Sequence, residues 1–590
     1  MSPDRSRAMD HVVLVLFENR SLDNLLGRLY GPGDGKTFEG VIGKDLSNPI
    51  PAWAEHGAER KSVPYTVATD MDAPNPDSGE EYFHTNTQLF GRLDEQNRFK
   101  IGEAVSAPWN APEPGAVPTM DGFVTDYIST FTAEMGQQPT YEEYAQIMTG
   151  YTPDQVPVLS TIAKGFGVFD HWFCEVPSQT FMNRSFWTAA TSSGLVINSP
   201  VSNFTQHNTA ETLFDRLEAH GRTWKVYVQE PMPLSFTGLI HMPRLKDRLA
   251  TNFVPYSEFE QDTARGTLPD FSLIEPNMLS GHSDYHPAFG RSLIPGDMDI
   301  PMDPPSSIGG GDAFLARIYR AIRSAASPEG SNAYNTLFFI GWDEPGGTYD
   351  HVAPGPVPPP DPSAPAGQLD FAFDRSGYRV PAIIVSPWVD EGIVINDEHR
   401  HTSMIATLRK VWGLGEAFTA RDAAPAPFDH LLGRDSPRDP AGWPEVEALP
   451  VPVFHMDMVQ MGKAFSILGK TAGAGMLERA QQAGLAIPPE LTDPNAHPST
   501  EQIIAGLRSI GAQISRAWPH PHRPPHQSPL TEADAGAPRS TGAVRVRRIS
   551  AARGGAIRTR AAPSRHVRQR AEHRGAGATR AKRWLEWLRR

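Results

Sequence analysis

HVVLVLFENRS, residues 11–21, is apolar without a break from Val12 to Phe17 and then turns at once to Glu18, Asn19 and Arg20. Unbroken rather than alternating apolarity marks a strand covered on both faces, the pattern of a parallel sheet with helices on either side. The run is too short for the apolar region of a signal peptide, meets Glu18, and has no small-residue cleavage site behind it. With no signal peptide evident, the expected location is the cytoplasm or unassigned. Similar runs recur at 224–228 (WKVYV), 336–341 (TLFFIG) and 380–385 (VPAIIV). The fold class expected is therefore α/β, a mostly parallel central sheet covered by helices on both faces. One covering helix is predicted over 313–326, with Asp312 as its N-cap and Phe314, Ile318 and Ile322 on its buried face.

Outward from these strands, the 590 residues suffice for one large catalytic unit and an appendage. The expected divisions are a catalytic domain over 1–430 with a loop-rich, cap-like insertion at about 40–125, a helical appendage over 431–517, and a disordered basic tail over 518–590. The lone cysteine, Cys174, excludes an intramolecular disulfide and any zinc site of paired cysteines. No stretch approaches the roughly 18 apolar residues of a membrane-spanning helix. The net charge of −14 hides a basic end carrying Arg545, Arg547, Arg548, Arg558, Arg560, Arg568 and Arg570. Such a tail suits an anionic surface or nucleic acid, or is a solvated tail and nothing more. It lacks interleaved aromatics and any recognised module, so nucleic acid is not an expected partner.

Open α/β sheets bind ligands beyond the carboxyl ends of their strands. Strand 11–17 ends in Glu18-Asn19, and strand 336–341 leads into Trp342, Asp343 and Glu344. Glu18, Asn19, Asp343 and Glu344 together offer hard oxygen ligands for a divalent metal ion such as Ca, Mg, Mn or Zn. Capping a helix or pairing with an arginine is the alternative for any one of them. A third segment, VPSQTFMNR at 176–184, puts Thr180 just before a helix-like run, where backbone N–H groups can hold a phosphate. An ordinary N-cap reads the same, and helix physics alone favours it. His282, His286, His351 and His401 supply imidazoles near these segments.

Taken in order, these segments resemble the phosphoesterase family of bacterial and plant non-specific phospholipases C and acid phosphatases. The likeness runs from about residue 9 to about 430 and rests on HVVLVLFENRSLDNLLG, NTQLFG, MDGFVTDY, the 151–184 segment, GWDEPGGTYDHVAP, GYRVPAIIVSPWV and HTSMIATLRKVWGL. The resemblance implies an alkaline-phosphatase-like fold and metal-assisted, covalent phosphoryl transfer. It makes Glu18, Asn19, Thr180, Asp343 and Glu344 metal ligands, with Thr180 also the nucleophile. His286 and His351 become candidate catalytic groups that protonate the leaving oxygen, and Asn183 and Arg184 candidate substrate-binding groups. The implied partner is a phosphate ester, a phospholipid among the options. Three positions depart from the family's pattern: Glu80 stands where many members have a histidine, Pro345 interrupts the usual Asp-Glu-His-Gly-Gly, and Met182 replaces a proline. A catalytically silent binding protein that keeps the fold is the competing expectation.

Overall fold

A computed structural model describes residues 4–230, 232, 235–278, 282–287, 307–451 and 509. The expected tail, and the expected helical appendage apart from residues 431–451 and 509, lie outside the described residues.

Eight strands form the main sheet: β1 (His11–Phe17), β2 (Gly167–Phe169), β3 (Trp224–Val228), β4 (Phe253–Pro255), β5 (Phe271–Glu275), β6 (Thr336–Trp342), β7 (Ala382–Val385) and β8 (Ile393–Ile395). Their order is β8-β2-β7-β6-β1-β5-β3-β4. β1 and β6 lie side by side at the centre, and every residue of β6 is buried. All neighbouring pairs are parallel except those of β7, which runs antiparallel to both β6 and β2. The expectation of a mostly parallel sheet holds, with a correction for 380–385. A strand buried on both faces is equally apolar in either direction, so composition carries no sign of its orientation.

Helices cover the sheet. Those used below are α1 (Leu22–Leu26), α2 (Tyr82–Phe90), α3 (Phe123–Met135), α4 (Pro157–Gly165), α5 (Thr180–Ala189), α6 (Ser307–Arg323) and α7 (His401–Trp412). The helix expected at 313–326 is α6, and Phe314, Ile318 and Ile322 are buried as its spacing requires. Asp312 does not cap it. The residue lies inside α6 and reaches sideways to the start of α4, accepting from Val158 N at 3.0 Å and Leu159 N at 2.9 Å. Asp312 thus satisfies donors that α4 leaves open behind Pro157.

Residues 40–125 carry a two-stranded ribbon and α2, and with α3 they build their own apolar cluster of Ile50, Val63, Leu89, Phe123, Tyr127 and Ile128. Phe83, Leu89 and Phe123 are buried, so they pack the insertion rather than face solvent. Beyond residue 430 the chain still packs on the main core: Trp443 meets Phe166 edge-on at 5.0 Å, and Tyr319 donates to Pro444 O at 2.9 Å.

Candidate active site at the carboxyl ends of β1 and β6

Register builds the site. Phe17 pairs with Trp342 across the parallel ladder, so the next residues, Glu18 and Asp343, emerge together from adjacent strand ends. Asp343 N donates to Phe17 O at 3.0 Å and continues the ladder by one step. Asn19 then takes a left-handed backbone, φ 52°. Non-glycine residues seldom hold that conformation, and those that do cluster at functional sites. Gly346 lies so close that a Cβ there would fall 2.5 Å from Asn19 O, which makes glycine obligatory in the Gly346-Gly347 turn.

Helix α5 delivers the third component. Gln179 is its N-cap and makes no side-chain cap bond, so Thr180 is the first helical residue and the simple capping reading of Thr180 does not hold. Its hydroxyl donates instead to Glu18 Oε2, at 3.4 Å. One turn later Arg184 Nε donates to Glu18 Oε1 at 2.9 Å and to Asp343 Oδ2 at 3.1 Å, while its Nη2 reaches Leu16 O at 3.0 Å. The arginine pairing weighed as an alternative for Glu18 and Asp343 is therefore present, and it joins all three segments. Arg184 Nη1 has no hydrogen-bond partner among the described residues and lies 4.0 Å from Glu275. Asn183 accepts from Glu175 N and Val176 N at 2.9 Å each, and donates to the carbonyls of Val176, Ser178 and Gln179. Its amide is thus occupied by the loop that presents Thr180.

The acids outnumber the cation. Glu18, Asp343, Glu344 and Glu80 are all buried, and Arg184 pairs with the first two. Burial, and then the neighbouring Asp343, pushes Glu18 well above the usual carboxylate range; Glu344 is pushed the same way by burial and then Glu80. Burial and the adjacent Glu81 lift Glu80 to about 7. Two oxygens, Asn19 Oδ1 and Glu344 Oε1, are buried with no hydrogen-bond donor among the described residues. Excess buried carboxylate together with orphaned oxygen acceptors is the donor set a divalent cation fits.

The histidines divide. His286 joins the site: Asn19 Nδ2 lies 3.0 Å from its Nε2. Its Nδ1 contacts Pro287 O at 2.9 Å. A carbonyl only accepts, so Nδ1 carries the proton and Nε2 the lone pair. Burial holds this imidazole down at about 4, which favours the uncharged ring near neutrality. His351 stands in a different group, with Asp23 Oδ2 at 2.6 Å and Glu39 Oε1 at 3.0 Å. Arg379 bonds both Asp23 and Asp350 there, at 2.9 and 3.0 Å. His401 is a support: Trp172 Nε1 donates to its Nδ1 at 3.1 Å, and its Nε2 donates to Asp343 O at 2.6 Å.

The structure adds residues that motif reading did not single out. Gln179 donates to Glu80 Oε1 at 3.1 Å and accepts from Asn198 N at 2.9 Å, and Asp77 Oδ2 lies 3.6 Å from His286 Nε2. Gln179 adjoins Thr180 and could have been suspected; Asp77 sits in a Pro-rich stretch with no periodicity and gave no signal. A groove lined by Glu218, Arg222, Trp224, Lys225 and Asn252 lies at the amino end of β3, the opposite end of the sheet from these residues.

Residues 9–415 match the model of the Phosphoesterase family. Similar curated proteins include Non-specific phospholipase C6 of Arabidopsis thaliana, 30% identical over 74% of this chain and 75% of that one. Phospholipase C B of Mycobacterium tuberculosis is 24% identical over 76% of this chain and 83% of its own. Among solved structures, a protein in the alkaline phosphatase superfamily from Vibrio parahaemolyticus is 14% identical, covers 57% of this chain and 79% of its own, and has a TM-score of 0.28.

Proposed function

The chain belongs to the Phosphoesterase family and is a hydrolase acting on phosphoric ester bonds, and from that premise we propose that it cleaves a phospholipid-like phosphodiester by metal-assisted attack of Thr180. The observation that carries the reading is the Thr180 hydroxyl directed at Glu18 Oε2, at the start of α5, inside a buried excess of carboxylates.

Glu18, Asn19, Thr180, Asp343 and Glu344 would hold the divalent ion, with Asn19 Oδ1 and Glu344 Oε1 as the oxygens that need it most. When bound, such an ion supplies charge stabilisation for the nonbridging phosphate oxygens and a lowered pKa for the hydroxyl beside it.

The remaining steps belong to side chains. Thr180 Oγ forms the bond to phosphorus as the bond to the leaving oxygen breaks, and its proton passes by way of Glu18 Oε2, the acceptor it already faces, to the departing oxygen, which leaves as an alcohol. Arg184 keeps Glu18 and Asp343 in place and leaves Nη1 without a hydrogen-bond partner among the described residues. Asn183 fixes the 175–179 loop, so that Thr180 is presented without reorganisation. Water then hydrolyses the phosphothreonine and restores Thr180. For a phospholipid the products are a diacylglycerol and a phosphorylated head group. No helix among the described residues is long and apolar enough to cross a membrane, so a lipid substrate would be met at a surface.

Hydrolysis of p-nitrophenyl phosphorylcholine and p-nitrophenyl phosphate distinguishes diesterase from monoesterase. A marked preference for the monoester would reject the phospholipid-like substrate while leaving Thr180 in its role. Absence of turnover on both, with every divalent metal supplied, would favour the silent binding protein.

A further inference from the structure

Two groups of three ligand-type residues bring one atom each within 4.8 Å of the others: Asp23–Asp350–His351 and Asp77–Glu80–His286. They differ in what already neutralises them. In the first, the Arg379 guanidinium bonds both carboxylates and Lys44 contacts His351 Nε2 at 2.6 Å, so the charges are met by side chains. In the second, no arginine or lysine makes a salt bridge to Asp77 or Glu80 among the described residues. Arg20 acts on Asp77 only through space: its Nε and Nη1 donate to Tyr285 O, Asn24 Oδ1 and Ala73 O, and its Nη2 has no hydrogen-bond partner among the described residues.

We propose that Asp77, Glu80 and His286 form a second divalent-cation site beside the one assigned above. The imidazole is held for it: Nδ1 is tied to the Pro287 carbonyl, so the Nε2 lone pair faces the Asn19 amide at 3.0 Å and Asp77 Oδ2 at 3.6 Å. Metal-bound histidines are oriented in this way by a carbonyl or carboxylate on the other nitrogen. Glu344, assigned above to the first ion, borders the same group: it is 1% exposed, its Oε1 has no hydrogen-bond donor among the described residues, and Glu80 is the charge that acts on it most strongly. Two buried carboxylates facing one another without a cationic side chain between them call for a proton or a metal. Asn19 sits on the divide, its Nδ2 contacting both Glu80 and His286 while its Oδ1 stays open. One nitrogen and two carboxylates suit Mn²⁺ or Zn²⁺ better than Ca²⁺.

The inference rests on the metal-assisted reading above, and the test separates the two. Full-length protein is stripped with chelator, dialysed against Mn²⁺ and assayed for metal per chain, and its Mn²⁺ electron paramagnetic resonance spectrum is recorded at saturation. Two equivalents with a spin-coupled spectrum are expected for the unaltered chain, and loss of one equivalent with loss of coupling for Glu80→Gln and for Asp77→Asn. One equivalent in the unaltered chain, or two without coupling, overturns the second site while chelator-sensitive hydrolysis would leave the first intact. No bound metal together with chelator-insensitive hydrolysis overturns both. Retention of both equivalents in Glu80→Gln makes Glu80 a proton carrier and overturns the proposal. The spectrum of the unaltered chain decides the matter even where a variant does not fold.

Discussion

Asn183 and Arg184 lie side by side on α5 and do different work. Asn183 binds five backbone groups of the preceding loop, whereas Arg184 binds the two acids that end β1 and β6. Replacing Arg184 by methionine would leave Glu18 and Asp343 buried against each other without a counter-charge. Breaking a buried pair in this way costs about 3–5 kcal/mol. Arg184→Met is therefore expected to lower the thermal midpoint sharply as well as the activity, and an unchanged midpoint would show that Arg184 is not the charge that permits the cluster. The sequence disclosed the ligand-type residues because they follow apolar strands directly. It could not disclose that Arg184 would bridge them, since a residue 166 positions from Glu18 meets it only through the fold. Nor could it separate His351 from the site: seven positions beyond Glu344 is close in sequence, yet Asp23, at the start of α1, draws the imidazole into another group.

At the scale of elements, β1, β3, β6 and β7 were legible and β2, β4, β5 and β8 were not. β1 and β6 are seven residues each and apolar throughout. β2 and β8 are three residues each, too short to establish any period, and β5, FSLIE, carries a buried serine and glutamate. Asp312 was misassigned for a related reason: an acid near a helix suggests a local cap, while the donors it satisfies belong to α4, 153 positions away. Asp312→Ala is expected to destabilise the protein by about 0.5–2 kcal/mol, the usual cost of a lost cap, measured by urea unfolding. No change would mean that α4 is held by packing alone. A second element-level device joins α2 to α3, where His84 Nδ1 meets Asp126 Oδ1 at 2.8 Å. Burial opposes the imidazolium, but the Asp126 carboxylate outweighs it and raises His84 to about 9. Burial lifts Asp126 as well, which moves its own titration on the acid side. Because the folded His84 value lies above the ordinary value of about 6.5, the stability it contributes is complete below about 6.5 and is lost as pH rises through about 9. Unfolding midpoints between pH 6.5 and 9.5 should fall more steeply for the unaltered chain than for His84→Gln; parallel profiles would dismiss the pair as a source of stability.

For the molecule as a whole, the residues proposed to act collect at one end of one sheet. β1 and β6 supply four oxygen-bearing residues, α5 brings Thr180 and Arg184, and the 40–125 insertion contributes Asp77 and Glu80. Residues after 520 contribute none of the side chains named in the site. Removing them is expected to leave hydrolysis unchanged on a soluble substrate, and a loss of turnover in that assay would give the basic end a catalytic part. The central claim concerns Thr180 and the metal, and hydrolysis of p-nitrophenyl phosphorylcholine by the purified chain and by Thr180→Ala, each with and without chelator, tests it most directly. The account predicts activity that chelator removes, that added divalent metal restores, and that Thr180→Ala lacks under every condition; full activity in Thr180→Ala, or activity indifferent to chelator, would contradict it.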